Sequence, residues 1–166
     1  MSRKENAFGI KILVILLMGA SIVFAGRSYD RNLDPNQLFL DAANNSNFPQ
    51  VERLVAKGAN VNAKSTTYNV NASKGNTALI YTGNNDDLKL AKFLIAKGAN
   101  VNATNDEGRT ALIGACIWSN FDMVKYLVSQ GANVNVKDNH GHTALSEAEV
   151  NHDSNIVKYL RAHGAH

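Results

Sequence analysis

The chain has 166 residues, enough for one domain of ordinary size, and 45% of them are apolar, which excludes a disordered polymer and a multi-span membrane protein. Its net charge is +3, but three of the 17 basic residues and one of the 14 acidic ones lie in the first segment, so the charges beyond it nearly balance and look scattered. A protein that neutralises phosphates gathers lysine and arginine on one face, so nucleic acid is not an expected partner.

The first segment joins Arg3, Lys4 and Lys11 to the uncharged run ILVILLMGASIVFAG from Ile12 to Gly26. Val23 and Ala25 offer small side chains at the spacing a signal peptidase reads. Residues 1–25 therefore read as a signal peptide cleaved after Ala25, with a short linker over 26–32. An uncleaved anchor reaching back through Phe8 and Ile10 is the alternative, but a bilayer helix needs about 20 apolar residues. Both readings put the remainder outside the cytoplasm, periplasmic or secreted, and limit any membrane contact to an uncleaved N-terminal segment.

From residue 33 onward three markers share one period. GANVN begins at Gly98 and again at Gly131, 33 residues on, and Gly-Ala returns at Gly164; an earlier copy stands at Gly58. Gly75, Gly108 and Gly141 are each followed by Thr-Ala-Leu at Thr77, Thr110 and Thr143. Apolar sets recur in step: Leu90, Phe93 and Leu94; Met123, Val124, Tyr126 and Leu127; Ile156, Val157 and Leu160. The threonines can cap a short helix through Leu79 to Thr82, Leu112 to Cys116 and Leu145 to Ala148. A polar turn then restarts the chain as a second, amphipathic helix, and each Gly-Ala stands where a helix ends in a left-handed residue. A helix pair this small cannot bury its stripe alone, so neighbours must stack. Cys116, the one cysteine, reads as a small buried apolar residue.

The unit GRTALIGACIWSNFDMVKYLVSQGANVNVKD, Gly108 to Asp138, resembles the ankyrin repeat, whose pattern is G-x-TPLHxAA, a polar turn, a V-K-x-LL helix and a closing GAdVNa. The resemblance implies an all-α solenoid of four stacked helix-turn-helix units with hairpin-like loops over residues 33–166, at about 33–64, 73–104, 106–137 and 139–166. The first unit is degenerate, with Gln37 where threonine is expected, and looks like an N-terminal cap. An insertion over 65–72 lengthens one hairpin. Departures from the pattern are the alanines Ala78, Ala111 and Ala144 in place of proline, and Ile80, Ile113 and Ser146 in place of histidine. The usual polar linkage between units is thereby lost, with apolar contact as its substitute. Gly83 and Gly114 are expected to weaken their helices by about 1 kcal/mol each.

No nucleophile elbow, zinc-protease pair, phosphate loop or paired Cys-x-x-Cys occurs, so no enzymatic activity and no cofactor are expected. His140, His142, His152, His163 and His166 cluster late in the chain and make a metal site conceivable, though ligands at helical spacing are missing. The resemblance implies binding of another protein, by a monomer, through hairpin tips and the inner helix row. Carried across, the contact residues are Tyr68, Lys74, Asn76, Asn84, Asn85, Asp106, Glu107, Arg109, Ile117, Trp118, Asn139, His140, His142 and Asn151, with Trp118 the expected anchor. The role could be that of an inhibitor or immunity factor against an envelope toxin or enzyme, an accessory in stress defence, or a secreted effector.

Overall fold

The computed structural model describes residues 34–66 and 74–166. Leu33–His166 form one compact unit. The signal segment, the linker and most of the inserted hairpin, Tyr68 included, lie outside the described residues.

Each unit contributes two antiparallel helices: α1 Pro35–Asn44 and α2 Phe48–Ala56, α3 Ala78–Asn85 and α4 Leu88–Ala96, α5 Ala111–Ile117 and α6 Phe121–Ser129, α7 Ala144–Val150 and α8 Ser154–Ala162. Among the described residues there is no strand. The threonine reading holds: Thr77, Thr110 and Thr143 accept from the backbone N–H of Ile80, Ile113 and Ser146 at 3.4, 3.3 and 3.1 Å. Ser146 returns the bond, its Oγ accepting from the Thr143 N–H at 2.9 Å, and so closes a capping box. Ile80 and Ile113 are buried, so apolar contact does replace the missing histidines.

The first unit departs from expectation at its start. Asp34 caps α1, accepting from the Asn36 N–H, and Pro35 opens the helix. Gln37 therefore lies inside the helix, where its amide donates to Asp41 at 2.8 Å.

The first helices α1, α3, α5 and α7 stack in a row and the second helices flank them. Small side chains let the row close up: Ala43, Ala78, Ala111, Ala115, Ala144 and Ala148 are all essentially inaccessible. Between them sit Phe39, Leu79, Leu112, Leu90, Leu94, Met123, Leu127, Ile156 and Leu160, giving one continuous core. Each turn within a unit needs a left-handed residue, and none of the four is glycine: Ser46, Asp86, Ser119 and His152 have φ of 52, 55, 59 and 58°. Aspartate and histidine are among the side chains that tolerate that region best, which explains Asp86 and His152.

Gly83 is more than a weak helix former. A methyl group there would stand 2.5 Å from the Ala111 carbonyl oxygen, so the glycine lets α3 approach the backbone of α5. Gly114 differs, because its obstacle is only the side-chain oxygen of Asn84.

A polar ladder runs between units, and it was not anticipated. The second asparagine of each GANVN reaches into the next unit's Gly-Ala-Asn turn. Asn62 donates to the Gly98 carbonyl at 3.0 Å and accepts from the Asn100 N–H at 2.8 Å. Asn102 does the same with Gly131 and Asn133, and Asn135 with Gly164 and His166. Polar linkage thus persists without the histidines, moved to the loops.

Candidate functional site

The inner ends of the first helices border a groove of about 730 Å³. Its composition follows from register. The C-terminal ends of the first helices are occupied in turn by Asn44 and Asn45, Asn84 and Asn85, Ile117 and Trp118, then Val150 and Asn151, and the first three pairs line the groove. Two units therefore supply amides and the third supplies apolar surface.

Trp118 is 62% exposed, so it does not pack into a neighbouring repeat. It caps the C-terminus of α5, its N–H donating to the Gly114 carbonyl at 3.2 Å, and the left-handed Ser119 turns the chain away behind it. Val150, 72% exposed, occupies the neighbouring inner position of the last unit. Both present apolar surface from helix-end backbone that is hydrogen-bonded.

Most of the amides also hold the array together. Asn85 donates to the Asn44 carbonyl at 2.7 Å, and Asn151 to the carbonyls of Cys116 and Ile117 at 3.1 and 2.8 Å. Asn76 must be corrected as a contact residue. It is 1% exposed, and its side-chain oxygen accepts from Asn105 at 2.8 Å, so it forms the floor of the groove and does not project from a tip.

Beside it the buried Tyr81 phenol has its pKa raised, chiefly by burial, although hydrogen bonds with Ser65 and Asn76 oppose the rise. Ser65 also pairs through its backbone with Asn76 and Gly75, both at 2.9 Å. The two ends of the inserted hairpin are thus clasped at the edge of the groove.

Arg109 carries the groove's one formal charge among the residues that line it. It is held by Glu107 at 3.3 Å and by the buried Asp138 at 3.4 Å. Burial alone would raise the Asp138 pKa, but the backbone N–H groups of His142 and His140, and then Arg109, hold it below its ordinary value. Asp138 is thereby the hub that builds the last hairpin and joins it to the unit before.

Of the anticipated contact residues, the groove gathers Asn76, Asn84, Asn85, Arg109, Ile117 and Trp118. Lys74, Asp106, Glu107, Asn139, His140 and His142 stand apart on the hairpin tips, Asn151 at the end of α7 does not line the groove, and Tyr68 lies outside the described residues. Sequence reasoning missed Ile80, Tyr81, Asn105 and Thr110, which also line the groove. The Thr-Ala-Leu-x spacing could have pointed to Ile80, since the position after leucine looks back toward the hairpin. Among the described residues no group of three or more His, Cys, Asp or Glu side chains is placed to hold a metal. His142 lies 3.0 Å from Glu147. The Cys116 thiol is pushed up to about 12, first by burial and then by Asp153 and Glu147, so it is inert packing.

A family model described as ankyrin repeats, in three copies, matches residues 38–138 and 83–166. No curated protein matches the chain.

Proposed function

The chain belongs to the ankyrin-repeat family, whose members are in general non-catalytic protein–protein interaction modules, and from that premise we propose that it grips one partner protein through the inner groove. The observation that carries the proposal is the pairing of two surfaces in one groove. Asn44, Asn84 and Asn85 present amides at one end, and Ile117 and Trp118 present apolar surface at the other. A partner segment that is polar at one end and aromatic or aliphatic at the other would fill it, with Trp118 at the centre of the contact. Tryptophan in such a position carries a disproportionate share of binding energy.

We further propose that the protein works outside the cytoplasm, as the positive n-region and the apolar run Ile12 to Gly26 support. There it would act by covering a functional surface of the partner, as an inhibitor or immunity factor does, because the groove offers shape and no reacting group.

The test places a photo-crosslinking amino acid at position 118 in one variant and at position 158, on an outer helix, in another. A single adduct from position 118 that is missing from position 158 is expected. Affinity for the protein so identified should fall at least about tenfold in Trp118→Ala. An adduct formed equally from both positions, or an unchanged affinity, removes the groove from the account. Export is tested separately, by fusing the first 40 residues to a reporter enzyme that is active only after translocation; a silent fusion discards it.

A further inference from the structure

Between residues 34 and 166 acidic and basic side chains are equal in number, yet the fold does not spread them evenly. The second helices with the residue that follows each, residues 48–57, 88–97, 121–130 and 154–163, carry eight lysines and arginines against Glu52 and Asp122, and Asp87 and Asp153, which cap two of them at the N-terminus, add two more carboxylates. The first helices and loops, those two caps included, carry four cations against ten carboxylates. The cations therefore gather on the second helices, while the carboxylates lie mostly in the turns and hairpins, with Asp41, Glu147 and Glu149 on the first helices.

The outer layer is continuous. Phe48 of α2 meets Phe93 of α4 edge-on at 5.2 Å, Lys92 of α4 lies over Tyr126 of α6, and Phe121 of α6 meets Tyr159 of α8 at 5.7 Å. These half-buried rings carry cations above them: Lys89 stands 4.2 Å from the centre of Phe48, and Lys125 4.7 Å from that of Phe121. Lys125 is paired with Asp122 and Arg161 with Glu149. The other six, Arg53, Lys57, Lys89, Lys92, Lys97 and Lys158, are exposed and form no ion pair among the described residues, although Asp122, its pKa lowered first by Lys125, has Lys92 near enough to lower it further.

An ordinary solvated face would intersperse both signs. Here cations outnumber acids along the second helices, at the cost of repulsion among neighbouring lysines. Such a layer matches a broad polyanion. Four helices side by side, each of about 13 Å and spaced about 10 Å apart, offer a slab and not a cleft. A slab fits a sheet of headgroups better than the rounded backbone of a duplex.

We propose that this second-helix layer docks on the surface of an anionic phospholipid bilayer, leaving the groove on the first helices turned toward its protein partner. The preference for lipid over nucleic acid rests on the export proposed above, whereas the existence of the anion-binding layer does not.

The test uses the full chain in co-sedimentation with phosphatidylcholine vesicles, with and without phosphatidylglycerol. The N-terminal segment is common to every variant, so its contribution cancels. K92Q/K97Q/K158Q neutralises three outer-layer lysines, and K64Q/K74Q/K137Q removes the same charge from the loops. At about fivefold per lysine, the first triple variant should bind anionic vesicles on the order of a hundredfold more weakly, with the second close to wild type. Circular dichroism and melting confirm that both remain folded. Equal loss in the two variants, equal binding to neutral vesicles, or tighter binding to a DNA duplex at the same salt each overturns the lipid surface. Vesicle binding can hold while the reporter fusion is silent, so the two proposals fail separately.

Discussion

At Gly83 the physics of one residue runs against its helix propensity. Glycine in a helix interior ordinarily costs about 1 kcal/mol relative to alanine, so replacing it should help. Here the added methyl group would meet the Ala111 carbonyl oxygen at 2.5 Å, and that oxygen belongs to the backbone of the neighbouring helix. Two helices would have to separate, so Gly83→Ala should destabilise by about 1–3 kcal/mol, as overpacking does. Gly114→Ala is the matched control. Its obstacle is the end of the flexible Asn84 side chain, which can swing into the groove, so this variant should be neutral or gain up to about 1 kcal/mol. Urea melts of the two variants check the contrast. If Gly83→Ala proves as stable as Gly114→Ala, the close approach of α3 and α5 is not a constraint.

At the level of elements, the helices were legible because three markers keep one period and each has a local cause. A hydroxyl caps the start, a glycine ends the second helix, and an apolar stripe lies between. The degenerate first unit, with Gln37 at the threonine position, is capped instead by Asp34 with Pro35 behind it, and the register of the later units gave no hint of that. The groove was legible where the family pattern pointed, at Ile117 and Trp118, but not at Asn76, whose burial depends on Asn105 of the next unit. Bonds made across units leave no local trace in a sequence.

Asp138 is such a case, and it gives the array an acid sensitivity. Its folded pKa is depressed, so the stability it contributes is full above the unfolded value of about 3.9 and is lost as pH falls through the folded value. Asp138→Asn should cost about 2 kcal/mol at neutral pH, since Arg109 and the hairpin N–H groups lose a charged acceptor. Its melting temperature should also fall less steeply than wild type between pH 5 and pH 3. Parallel curves would mean that other carboxylates dominate acid unfolding.

For the whole molecule, stability in a stack is carried by the interfaces between neighbours, and they are unequal in what they contain. The middle units have a neighbour on both sides. Leu79, Leu90, Leu94, Leu112 and Leu127 in them are essentially inaccessible; in the end units Leu54 and Leu145 keep 7% and 8% exposure, while Leu40 and Leu160 are as buried as those central leucines. The asparagine ladder ties each unit to the next in the same way, Asn62, Asn102 and Asn135 each bonding the turn that closes the following unit, so the end units differ in lacking a neighbour on one side. Opening should therefore begin at the ends and reach the centre last. Native-state hydrogen exchange should find amides of α3 to α6 protected at least about tenfold more than those of α1 and α8. Trp118 sits at the end of α5, within that slow centre, so a partner would bind to the part of the array that opens least. Uniform protection along the chain would mean that the array unfolds as one block, and the binding surface would then owe no special rigidity to its place in the stack.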